Sequence, residues 1–309
     1  MTARTAGAPS RGRWRVSEET RWAFIFLLPW IVGFVIFTAG PMIASFAISF
    51  TQYNVIRPPE FVGLENYLRL LDDRRIPLAL TNTAIYAVLH VPGVIILALA
   101  LAMLLLRVGR ATGFFRTIFY MPTVTPAVAV GTLFLLVLAG NGVLNQALGV
   151  IGLNGPNWLS DPDWVKPGLV IMSLWTLGST VVIYFAALRN VPLELYEAAR
   201  IDGANSWQQF RNITIPFISG ALFFTIIVNT IASLQIFAEV FTMFFGARSG
   251  PAQSSALFYV VYLFQKAFED LQFGYASAMA WLLFVIVLAI TAVQIRLSRR
   301  FVYYEGEDR

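Results

Sequence analysis

Residues 192–216, PLELYEAARIDGANSWQQFRNITIP, decide how the chain is read. This is a polar island carrying Glu194, Glu197, Arg200, Asp202 and Arg211. Each flank is mostly apolar and long enough to supply the ~20 residues with which a helix crosses a bilayer. Pro192 suits the first turn of a helix, where its missing N–H costs nothing. Leu193–Ile201 then reads as helix, and Asp202-Gly203 ends it, with Gly203 supplying the left-handed position after the last turn. Ser206 and Gln209 form an S-x-x-Q pattern that predicts a capping box and a second helix. Pro216 marks the passage into the next apolar run. The stretch predicts a helix-turn-helix elbow at a membrane surface, too polar to lie in hydrocarbon.

The rest of the chain has the composition that this elbow requires. Its 309 residues are 58% hydrophobic and 13% charged, with a mean hydropathy of +0.69. A soluble domain carries about 25% charged residues, so most of this surface is expected to meet lipid. The absence of Cys excludes disulfides, thiolate metal sites and a cysteine nucleophile, and a single His leaves no metal cluster. There is no G-x-x-x-x-G-K-[ST] loop for ATP, and no G-x-S-x-G elbow or close carboxylate pair inside the apolar runs for hydrolysis. No basic stripe with interleaved aromatics points to nucleic acid.

These features predict an all-α polytopic membrane protein with six transmembrane helices. Residues 1–21 are basic and read as a disordered cytoplasmic tail. The run 22–50 has no charge and far exceeds the ~7–15 apolar residues of a signal peptide, so it holds the first span. Further spans are expected within 76–106, 117–138, 168–188, 217–237 and 276–295, which makes 22–300 one membrane domain with the 190–216 loop between helices 4 and 5. Residues 301–309 form a short cytoplasmic tail. Residues 143–151 and 255–264 read as short helices lying at the interface. With both termini inside, 15 of the 22 Lys and Arg residues fall in cytoplasmic segments, as the positive-inside rule asks, and the elbow is cytoplasmic.

The elbow resembles the E-A-A loop of binding-protein-dependent ATP-binding-cassette importer permeases. The pattern is E-A-A, three residues, G, nine residues, I-x-L-P. Glu197, Ala198, Ala199, Gly203, Ile213 and Pro216 match it, with Ile215 in the usual Leu position. The IDGA run at 201–204, FVGLENY at 61–67 and FGYASA at 273–278 are similar to the carbohydrate-uptake branch, the maltose and glycerol-phosphate type. The likeness covers about residues 43–297. It implies a permease that forms half of a translocation path for a sugar or sugar derivative in the bacterial cytoplasmic (inner) membrane. It implies a second permease subunit, two copies of an ATPase that uses ATP and Mg, and an extracytoplasmic solute-binding protein. This chain would itself be no enzyme and bind no cofactor. The coupling residues carried over are Glu197, Ala198, Ala199, Arg200, Asp202, Gly203, Ile213 and Pro216. Arg200 and Arg211 would hold the elbow's carboxylates, meet acidic groups on the ATPase, or stay solvated.

Polar residues inside the spans form a second candidate set. Thr225, Asn229 and Ser233 share one face of the fifth span, and Thr176 and Thr180 share one face of the fourth, beside Trp175 and Ser179. Hydroxyls, amides and aromatic planes suit a sugar path. Interhelical hydrogen bonding, a common use of such residues in membranes, explains them equally well. His90 and Glu239 are read as structural or interfacial groups rather than transport residues. A permease for a non-sugar solute, a secondary carrier and an intramembrane enzyme are the competing readings. A secondary carrier would usually place charged residues within its spans.

Overall fold

The computed structural model describes residues 18–245 and 251–298. The C-terminal tail expected at 301–309 lies outside the described residues, as does the N-terminal tail up to residue 17. Residues 18–21 are not tail but helix: they form the first described turn of α1, which carries Glu18 and Glu19.

α1 (Glu18–Phe34) passes through a wide π turn at Val35–Ala39 into α2 (Gly40–Ile48). It buries no residue against the rest of the chain. A two-stranded ribbon follows, β1 (Thr51–Gln52) antiparallel to β2 (Glu60–Phe61) with Thr51 opposite Phe61. α3 (Glu65–Asp72) then leads to α4 (Arg75–Arg107), the 33-residue post around which the bundle is built. Ala79, Ala98 and Ala102 of α4 are fully buried, small enough to let neighbouring helices close in.

Beyond α4 come α5 (Thr112–Tyr120), α6 (Ala127–Val137), α7 (Val143–Val150), α8 (Val165–Trp175) and α9 (Gly178–Arg189). The elbow is α10 (Leu193–Ile201), α11 (Ser206–Gln209), a π turn at Phe210–Thr214 and α12 (Ile215–Phe217). α13 (Ser219–Leu234), α14 (Ala238–Phe244), α15 (Tyr259–Phe264) and α16 (Phe273–Ser298) complete the chain. α4 packs against α8, α9 and α13, and α14 packs against α6.

Four stretches are long and apolar enough to span on their own: Glu18–Ile48, Arg75–Arg107, Ser219–Phe244 and Phe273–Ser298. The third and fourth expected spans are instead broken. Gly109–Val124 and Ala127–Val137 meet at 101°, and Val165–Trp175 and Gly178–Arg189 at 54°. Counting each bent pair as one span gives six. The first break falls at Thr125-Pro126, where both residues are extended because Pro126 disfavours helix in the residue before it. The second falls at Thr176-Leu177. There Gly178 sits so near the Phe119 carbonyl that an added Cβ would lie 2.0 Å from its oxygen. The fifth span is also interrupted, at residues 235–237, and α14 carries it on to Phe244.

Residues 143–151 form a short helix as expected. Residues 255–264 differ from expectation: Ser255 and Ala256 are turn, Leu257 and Phe258 are irregular, and helix α15 spans only Tyr259–Phe264. Phe258, Tyr259 and Val261 are fully buried, so the segment is packed inside the protein rather than laid along its surface. Asn82 fixes it by donating to the Ser254 and Leu257 carbonyls, at 2.8 and 3.1 Å.

Candidate translocation site and coupling elbow

Two features stand out, at different heights of the bundle. The elbow is at one end. Leu105, near the close of α4, shares a core with Leu188, Val191 and Ile218, and Tyr196, Ile213 and Ile215 of the elbow pack onto it. The Tyr196 hydroxyl meets the Thr214 hydroxyl at 2.9 Å, clamping α10 to the following π turn.

The reversal after α10 is a Schellman motif. The Ala204 N–H donates to the Ala199 carbonyl at 2.8 Å and the Gly203 N–H to the Arg200 carbonyl at 3.1 Å. Gly203 has φ +78°, as its position predicts. The capping box lies one residue before the expected one. Asn205 Oδ1 accepts from the Gln208 N–H at 2.9 Å, and the Asn205 N–H donates to Gln208 Oε1 at 2.7 Å. The Schellman motif ends at Ala204, which makes Asn205 the first residue free to cap, and Asn caps at least as well as Ser. Pro192 likewise sits just outside α10, as its extended N-cap, rather than in its first turn.

Glu197, Ala198, Arg200, Asp202 and Gly203 are exposed, while Ala199, Ile213 and Pro216 are half-buried. Ile201 (87% exposed) and Trp207 (66%) add large apolar groups to the open face. Among the described residues the one ion pair is Lys266–Asp270, so Arg200 and Arg211 do not bind the elbow's carboxylates.

The second feature is a cavity of about 470 Å³ at mid-height of α4. It lies where the breaks of the fourth and fifth spans face one another: Thr176 and Leu177 line it from one, and Gln235, Ile236 and Phe237 from the other. Irregular backbone is tolerated at membrane depth where it is enclosed by protein or lines such a space. Of the path residues read from the sequence, Thr176, Ser179, Thr180, Asn229 and Ser233 meet here.

Trp175 and Thr225 stand outside the lining. The Trp175 ring packs on Phe134, with centroids 5.9 Å apart. Thr225 is buried, joined to the Tyr184 hydroxyl and donating to carbonyls of its own helix, and so links α13 to α9.

His90 and Glu239, read from the sequence as bystanders, both line the cavity. His90 stacks on Tyr86 with ring centroids 5.2 Å apart, and its Nδ1 lies 2.7 Å from Ser173 Oγ. The Ser173 hydroxyl also lies 2.7 Å from the Val170 carbonyl, so one small cluster ties His90 of α4 to α8. Glu239 stands in the first turn of α14, directly after the break of the fifth span. A Cβ on Gly131 of α6 would lie 3.2 Å from the Glu239 carbonyl oxygen, so the two backbones are in close contact. The signal for Glu239 was present in the sequence: it is the one acidic residue between Asp202 and Glu269.

A third cluster closes the opposite end of α4. Asp73 Oδ2 accepts from the Tyr262 hydroxyl at 2.6 Å and the Tyr275 hydroxyl at 2.8 Å. The Arg69 guanidinium stands 4.4 Å from the centre of the Tyr275 ring. Burial works against ionisation of Asp73. The Tyr262 hydroxyl, the Arg75 N–H, the Tyr275 hydroxyl and the Lys266 charge outweigh it together, and hold the carboxyl below its usual 3.8.

The comparisons with known proteins agree with this architecture. The family model for the binding-protein-dependent transport system inner membrane component matches residues 94–303. The probable ABC transporter permease protein YesP of Bacillus subtilis is 34% identical over the full length of both chains. The lactose transport system permease protein LacF of Rhizobium radiobacter is 34% identical over 89% of this chain and 93% of its own. The fold superposes with a TM-score of 0.78 on a chain from a bacterial ABC transporter involved in the import of the acidic polysaccharide alginate, at 25% identity, covering 93% of this chain and 98% of that one. A helical bundle that crosses the membrane several times and breaks its spans around a polar cavity is a multi-pass inner-membrane permease. The chain belongs to the binding-protein-dependent transport system inner membrane component family.

Proposed function

We propose that this chain is the permease subunit of an ATP-driven importer for a sugar or sugar derivative. The observation that carries the reading is the mid-height cavity, which gathers hydroxyl and amide groups from four helices. The relatives that carry lactose and alginate support the sugar class. In this reading a second permease subunit supplies the other half of the path. Two ATPase subunits dock on the elbow, and an extracytoplasmic binding protein delivers the sugar. ATP and Mg act in the ATPase, and this chain neither binds a cofactor nor catalyses a reaction. Both termini are cytoplasmic.

The elbow's place in the chain supplies the mechanics. It connects α9 directly to α13, and those helices carry Ser179, Thr180, Asn229 and Ser233 of the cavity. A push on α10 is resisted at the Tyr196–Thr214 clamp and the core beneath it, so it moves α9 and α13 rather than dissipating in a loose loop. Closure of the ATPase dimer would thus reshape the cavity and switch its access, and hydrolysis would reset it.

The test is reconstitution of the complete complex with its binding protein in liposomes. ATP-dependent accumulation of a labelled sugar is expected. A complex that hydrolyses ATP but accumulates none of a broad sugar panel would overturn the substrate class and leave the permease assignment standing.

A further inference from the structure

We propose that the cavity selects its solute by charge: it admits neutral and amino-bearing glycosides and disfavours carboxylated ones, with Glu239 as the specificity-determining residue. This rests on the sugar-permease reading above. Glu239 is the one carboxylate in the lining, which holds no Lys or Arg. Among the described residues its side chain makes no ion pair, and no hydrogen bond to its carboxylate is formed. Its backbone is held against Gly131, which keeps the residue at the wall.

The neutral groups around it lean the same way. Ser173, Thr176 and Ser233 each give their hydroxyl proton to a carbonyl of their own helix, at 2.7, 3.0 and 2.9 Å. What they turn to the cavity is lone pairs. Asn229 donates through Nδ2 to the Thr225 carbonyl. Tyr86, Ser179, Thr180 and Gln235 can still donate, enough to orient a neutral sugar, but none of them is charged. The wall is therefore rich in acceptors and carries one negative charge. A polyhydroxylated or ammonium-bearing solute supplies the donors this wall lacks. A carboxylate supplies only acceptors and meets Glu239 as a like charge. The alginate importer serves an acidic cargo on the same fold, so the backbone alone does not set a charge preference.

The experiment uses the detergent-purified transporter complex without its binding protein, so that the binding protein's own selectivity does not enter. Equilibrium binding is measured for one disaccharide in three labelled forms, neutral, amino and uronic acid, near neutral pH. The wild type is expected to bind the neutral and amino forms and to bind the uronic form about tenfold more weakly or worse, the scale of a like-charge contact in a partly hydrated site. Glu239→Gln, which keeps the shape, should narrow that gap to about twofold, and Glu239→Lys should reverse it. Equal binding of all three forms by the wild type, or an unchanged ranking in both variants, overturns the charge rule alone. Wild-type binding of none of them, by a complex that does accumulate a labelled sugar in liposomes, overturns the cavity as the selecting site. A complex that accumulates none of a broad sugar panel instead overturns the sugar reading on which the rule depends.

Discussion

Single residues carry the coupling prediction. Nothing lies within 4 Å of a Cβ placed on Gly203, so space does not forbid a side chain there. The positive φ does, at a cost of about 1 kcal/mol for any L-residue and more for a β-branched one. Gly203→Val should open the Schellman turn and tilt the helix that presents Glu197. Glu197→Lys reverses a charge on the exposed docking face. Both variants should insert normally yet lose sugar uptake, with the ATPase either failing to co-purify or hydrolysing ATP without stimulation by loaded binding protein. Wild-type uptake and stimulation in both would remove the elbow from the coupling path. In the cavity, Asn229→Leu replaces an amide with a side chain of similar size that has no polar atom. Uptake is expected to fall at least tenfold while the complex still assembles. A loss of assembly with residual uptake intact would place Asn229 in helix packing instead. The turn of the elbow was legible, because it encodes itself locally in Asp202-Gly203, while its caps were read one residue off at Ser206 and Pro192. The role of Thr225 was not. A hydroxyl at helical spacing faces either a neighbour or a space, and only the position of Tyr184 decides which.

Among the elements, the spans were readable and their breaks only partly so. Hydropathy located every long helix, since each had to be apolar along its length. Pro126 marked the bend of the third span, but Pro92 sits inside α4 with no break, so proline alone did not separate the two outcomes. The interruption at 235–237 has no proline or glycine at all. It is set by how α14 seats on α6, a tertiary contact that leaves no local mark. Gly178 is the element-scale test. An alanine there would drive its Cβ into the Phe119 carbonyl, and neither backbone can yield freely. Gly178→Ala should separate α9 from α5, destabilise the protein by roughly 1–3 kcal/mol and lower its melting temperature. Gly220→Ala, a helical position with open space around it, is the matched control and should leave the melting temperature unchanged or raise it slightly.

At the scale of the whole molecule, topology and stability can be checked together. Reporter fusions after Asp72, Ser160 and Arg309 should report outside, outside and inside. An outside signal after Arg309 would mean that one of the bent pairs does not cross. The Asp73 cluster predicts a specific response to acid. Its carboxyl has a folded pKa below the usual 3.8, so the contribution it makes is complete above that value and lost as pH falls through the lower folded one. Asp73→Asn should melt below the wild type at neutral pH, and the two melting curves should draw together below pH 3.8. Parallel curves at every pH would show that the cluster is held by its shape rather than by its charge.

That cluster also sets an order of events. The carboxylate of Asp73 and the hydroxyl of Tyr275 are 202 residues apart in the chain. A ribosome adding about 5–20 residues per second delivers the second partner roughly 10–40 s after the first. For most of that interval the loop before α4 has its acid but neither tyrosine, and Tyr262 arrives only shortly before Tyr275. The bond from Tyr275 is therefore a bolt that only a nearly finished chain can throw, and a nascent permease that stops short of α16 holds that end of the bundle by Tyr262 alone.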